Sequence, residues 1–107
     1  MESVDPVLQH YVQDTFDVEV LPDLPFAALR QKLIERVDEL FRCDMEKLKW
    51  ILYRIDVQEA ELTRLLRENT DREVAEIIAD AIIQRQLQKI ETRKRFSADG
   101  PGWEADL

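Results

Sequence analysis

His10, Cys43, the Glu76/Asp80 pair and the cations between Arg85 and Arg95 are the side chains here whose chemistry could reach beyond folding. General acid or base catalysis needs a titratable group held in a pocket, most often His or a carboxylate pushed towards neutrality. His10 is the only histidine, and it sits beside Tyr11 in an acidic, amphipathic N-terminal stretch. It reads as a solvated or locally bonded residue. Cys43 has no later histidine to activate it, and Asp44 beside it disfavours the thiolate. A small buried or half-buried residue at a helix junction is the expectation. Glu76 and Asp80 stand one turn apart on the polar side of a helix and read as a solvated pair. The Glu-x-x-His spacings of a di-iron bundle, a zinc-type Cys/His cluster, a Gly-rich phosphate loop and an EF-hand pattern are all missing from the sequence. Neither an enzyme nor a bound cofactor or metal is expected.

Arg85, Lys89, Arg93, Lys94 and Arg95, opposed only by Glu91, form the one stretch suited to phosphate contacts. On a helix, Arg93, Lys94 and Arg95 point to three different sides, and no Gly or aromatic interleaving builds a stacking platform. Cations in the last turns also favour the negative end of the helix dipole, a purely structural reason for them. Their charge complements residues 1–25, which hold six acidic residues and no Lys or Arg. The arm can therefore lie along this helix.

Trp50 and Tyr53 fall outside the apolar stripe of their helix, beside Glu46, Lys49 and Arg54. Either the N-terminal arm covers them, or they anchor a partner, since Trp, Tyr and Arg dominate the energetics of protein interfaces. Arg30 lies inside an apolar arc and reads as a side chain snorkelling at its rim, with a buried ion pair as the lesser alternative. Trp103, after Gly-Pro-Gly and before Glu104, either folds back or serves as a short docking motif.

The elements that position these residues follow from spacing. Asp5 caps and Pro6 opens a short helix that places Val7, Leu8, Tyr11 and Val12 on one face and ends before Asp17. Two prolines make residues 18–25 an extended connector or a minor strand. From Phe26 to Arg42, the residues Phe26, Leu29, Leu33, Ile34, Val37, Leu40 and Phe41 form a core stripe. A second helix runs from Met45 to Ile55 behind Asp44, with Met45, Leu48, Ile51, Leu52 and Ile55 inward. The spacing Asp56/Glu59 predicts a capping box opening a third, with Leu62, Leu65 and Leu66 buried. Thr70/Glu73 repeats that spacing ahead of a long helix from Asp71 to Phe96. Its first half turns Val74, Ile77, Ile78, Ala81 and Ile82 inward; Ile83, Leu87 and Ile90 cluster roughly 150° away. Two different surfaces must cover this one helix.

The chain has 107 residues, 45% apolar and 36% charged, with two Gly and four Pro, which suits a single helical domain and argues against wholesale disorder. About two-thirds of the unfolded surface can be buried at this size, so no disulfide is needed for a core. A lone cysteine, an acidic N-terminus and no long apolar run predict a cytoplasmic protein rather than a secreted or membrane-spanning one. The net charge of −8 opposes a polyanion as main partner.

The sequence thus predicts an all-α fold: a small bundle of four main helices over residues 26–96, preceded by an acidic arm with a short helix and connector (1–25) and followed by a flexible tail (97–107). Its expected function is a non-catalytic protein-interaction or regulatory module. Self-association as a homodimer is expected through Ile83, Leu87, Ile90 and Phe96, with Trp50 and Tyr53 as a second surface. The alternative is a nucleic-acid-associated regulator using Arg85, Lys89, Arg93, Lys94 and Arg95.

Overall fold

The computed structural model describes residues 4–97. Five helices follow one another: α1 (Pro6–Phe16), α2 (Phe26–Cys43), α3 (Met45–Arg54), α4 (Glu59–Glu68) and α5 (Val74–Ser97), with no strand among the described residues. The predicted all-α bundle with a short leading helix and a connector is the observed architecture. Trp103 and the tail after Ser97 lie outside the described residues, as does the side chain of Phe96.

The helix starts at Pro6 and Met45 obey local chemistry. Asp5 Oδ1 accepts the Val7 N–H at 2.8 Å, and Asp44 Oδ1 accepts that of Lys47 at 3.2 Å, each satisfying a donor the helix cannot pair internally. The two predicted capping boxes do not form. Asp56 sits in the left-handed region at φ 64° and belongs to the end of α3, where the Asp56 N–H donates to Tyr53 O and the Val57 N–H to Leu52 O. This pair of bonds is a Schellman closure with Asp at the position glycine usually fills. α4 then starts one turn later behind Gln58, with no side-chain cap. Thr70 is likewise no cap. Asn69 donates its side-chain amide to Leu65 O at 2.8 Å, the chain turns through Arg72, and α5 begins only at Val74.

One apolar core unites the arm with the rest. Leu8, Val12 and Phe16 of α1 are fully buried with Leu29, Leu33 and Val37 of α2, Leu48 and Ile51 of α3, and Ile82 of α5. The connector is tied to α1, where Gln9 donates to Pro22 O at 3.1 Å and Gln13 accepts the Val20 N–H at 3.3 Å. Arg36 of α2 donates to Phe16 O at 2.8 Å, filling one of the carbonyls that the end of α1 leaves open.

α5 packs against α2, α1 and α4. Its first half buries Ala75, Ile78, Ala79 and Ile82, while Ile83 and Ile90 on the displaced face are 4% and 7% exposed within this single chain. The predicted two-sided burial of this helix is present. At its far end Lys94 Nζ meets Asp5 Oδ2 at 2.9 Å, and this pair lowers the Asp5 pKa. The acidic arm and the basic helix end are thus joined, as their charges suggested.

Several sequence expectations yield to the packing. Leu62, Leu65 and Leu66 are only half-buried, because α4 packs mainly against α5. Phe41 and Met45 are exposed on either side of the α2–α3 corner, where each stripe runs past its partner's end. Cys43, at the same corner, is exposed rather than buried.

Candidate functional site

Periodicity sets Trp50 and Tyr53 on the side of α3 opposite Leu48 and Ile51, which the core claims. The arm does not cover them. Trp50 is 56% exposed and Tyr53 83%. Arg54, one turn beyond Trp50, lies with its guanidinium carbon 5.0 Å from the indole centroid, a cation–π contact worth about 0.5–1 kcal/mol at such a site. That i, i+4 spacing is a signal the sequence carried.

Beside Trp50 opens a groove of about 540 Å³ between α1, α3 and α5. Ile51, Ile55 and Ile90 close its bottom as core residues with almost no exposed surface, and Arg54, Lys89 and Arg93 line its walls. Its α1 rim carries His10 and Asp14, which pair with each other at 2.9 Å in an exposed position. The Tyr11 hydroxyl is buried beside Gln86 and Thr15 without a well-directed hydrogen bond to either, and burial pushes its pKa up. Burial, with some help from the nearby charge of Arg85 and against the attraction of Asp56, pulls the Lys89 ammonium pKa down. The groove therefore sets an exposed indole beside cationic side chains.

The other predicted contact residues are distributed differently. Ile83 and Ile90 are buried within the single chain, so they are not surface contacts of this molecule; Leu87, at 40% exposure, is the member of that face left at the surface. Arg85 is drawn to the α3–α4 corner, donating from Nε to Ile55 O at 3.2 Å and pairing with Asp56 Oδ2 at 3.2 Å. Lys94 is held by Asp5, and Arg95 is exposed. The five cations do not share one face: Lys89 and Arg93 enter the groove, and Arg85 borders a separate cleft of about 620 Å³ between α4 and α5.

A second polar cluster joins residues the sequence left apart. Arg30 of α2 meets Asp80 of α5 through two bonds of 2.7 and 2.9 Å and Glu76 at 3.3 Å, so it is a bridge between helices rather than a snorkelling rim residue. Arg72 completes the cluster by reaching Glu76 at 2.9 Å and also Asp80. The pair read as simply solvated is thus clamped by two guanidiniums. Hydrogen bonds from Arg30 to Asp80 and from Arg72 to Glu76 hold both carboxyls below their ordinary pKa values. A carboxyl depressed in the folded state adds stability that is complete above its unfolded pKa, about 4, and is lost as pH falls through the folded value. The urea midpoint should accordingly drop below pH 4, and Asp80→Asn should be less stable at pH 7 yet show a shallower acid decline; identical acid profiles would contradict this.

Among the described residues no group of three His, Cys, Asp or Glu side chains is placed to hold a metal ion, and no helix is long and apolar enough to cross a membrane. In comparisons with family models, with curated proteins and with solved structures, none matches the chain.

Proposed function

We propose that this chain is a non-catalytic protein-interaction or regulatory module, working in the cytoplasm, that engages its partner with the Trp50/Tyr53 side of α3 and the groove next to it. The observation that carries this reading is the exposure of the two aromatics of α3, 56% and 83%, with Trp50 lining the groove beside them. Exposed indole and phenol rings near Arg are what interface anchors are made of, whereas the core has no use for them there. A lone exposed thiol at Cys43 suits a reducing compartment.

Self-association belongs to the proposal on a smaller surface than the sequence suggested, with Leu87, Trp50 and Tyr53 as its apolar contacts. The nucleic-acid alternative is weakened by the pairing of Arg85 with Asp56 and of Lys94 with Asp5. The test is affinity capture from the cell that makes the protein, comparing wild type with Trp50→Ala and including a differently tagged second copy of the chain. Trp50→Ala should change stability by under about 1 kcal/mol, as expected for a half-exposed residue, while losing the captured protein. Equal capture by both forms contradicts the proposal.

A further inference from the structure

α4 is held differently from the helices around it. No residue of Glu59–Glu68 is buried; Leu62, Leu65 and Leu66 are half-buried, and of these Leu62 packs against the main core. Gln58 supplies no side-chain cap. The ion pairs of Arg64 with Glu61 and Glu68 lie within the helix, so they stiffen it without docking it. The chain on either side, by contrast, is anchored. Ahead of α4, Arg85 of α5 donates to Ile55 O and pairs with Asp56 Oδ2, each at 3.2 Å, and the Val57 N–H closes on Leu52 O at 3.0 Å. Behind it, Arg72 reaches Glu76 at 2.9 Å and also Asp80, which Arg30 ties to α2. Two arginine anchors therefore bracket residues 58–71, a stretch held chiefly by three half-buried leucines. The cleft of about 620 Å³ between α4 and α5 is lined by Leu65 on one side and by Ile77 and Ala81 on the other. Ile77 is 3% exposed, yet it is the buried apolar residue that stands outside the main core cluster.

We propose that α4 is a lid: residues 58–71 open as one unit between the Asp56 and Arg72 anchors while α1, α2, α3 and α5 stay packed. An element with few buried apolar contacts opens at a free energy well below that of global unfolding. A helix of ten residues is marginal by itself in water, so α4 once detached also loses its internal hydrogen bonds. Opening uncovers Ile77 together with the three leucines, an apolar surface that the closed molecule withholds. This surface is separate from the exposed Trp50/Tyr53 side of α3, so the lid does not depend on the reading of that side.

The test is native-state hydrogen exchange of the full chain, read amide by amide by NMR in water and at several urea concentrations below the unfolding transition. The amides of residues 62–69 should be protected about 100-fold less than those of Leu33, Val37 and Ile82, and should share a single shallow urea dependence. Leu65→Ala should lower the protection of 62–69 by about a further fivefold, the loss expected from truncating a half-buried leucine, and leave Leu33, Val37 and Ile82 in their slow class. Protection of α4 equal to that of α2 overturns the proposal. So does a graded decline along α4, which is fraying and not a unit, or a loss in Leu65→Ala that is equal in α4 and α2. The wild-type measurement decides the matter even if the variant is poorly folded.

Discussion

Phe16→Ala should destabilise the protein by about 3–5 kcal/mol, the range for a phenylalanine removed from a packed interior. Phe16 is fully buried at the end of α1, edge-on to Tyr11 with ring centroids 6.2 Å apart. Its carbonyl also receives the Arg36 guanidinium, so the residue fixes both the packing and the exit direction of the arm. A domain of this size is held by only about 5–15 kcal/mol in total. Thermal unfolding should therefore move down by about 12 °C or more. A loss below about 1 kcal/mol would mean that the arm is an accessory strap and not a wall of the core.

The second large effect concerns the displaced face of α5. Ile83→Glu places a carboxylate in the core, at a position only 4% exposed, and should cost more than about 4 kcal/mol because the charge is neither solvated nor paired. Leu87→Glu, one turn further along and 40% exposed, should cost about 1 kcal/mol or less. Chemical denaturation of the two variants side by side reads the contrast. Equal costs would show that this face is not divided into a covered and an open part.

That division was partly legible in the sequence. The drift from the Ile78/Ile82 side to the Ile83/Ile90 side required two coverings, and the charges of Asp5 and Lys94 indicated which segment would supply the second. Helix starts at Asp5 and Asp44 were legible because a cap bonds a donor two or three residues away. Asp56 was misread because an Asp with Glu three residues later fits a capping box and also fits a left-handed helix stop, which Asp tolerates better than most residues. Only the bonds from Asp56 and Val57 back into α3 decide between them. At Thr70, the competing group was its neighbour Asn69, whose amide caps the preceding helix instead.

The Arg30–Asp80 bridge was illegible for a different reason. Its members lie 50 residues apart, and spacing within one helix says nothing about which rim of another it will meet. The groove shares that origin. Trp50 was visible as a residue off its core stripe and Lys89 as one of the cations of the last helix, but the angle at which α1, α3 and α5 leave a gap depends on side-chain volumes along all three. Phe41 and Met45 were assigned to the core for the same reason: periodicity fixes a face, not how far the neighbouring helix extends.

The central claim is that the exposed aromatic side of α3 is where another protein binds. It is tested most directly by placing the photo-crosslinking residue benzoylphenylalanine at position 53 of the full chain, in the cell that makes it, with position 68 on the exposed edge of α4 as control. The account predicts a protein adduct at position 53 that is missing at position 68 and disappears when Trp50→Ala is added. Its mass identifies either a second copy of this chain or a different protein. Adducts equal at the two positions, or none at position 53, would contradict the account.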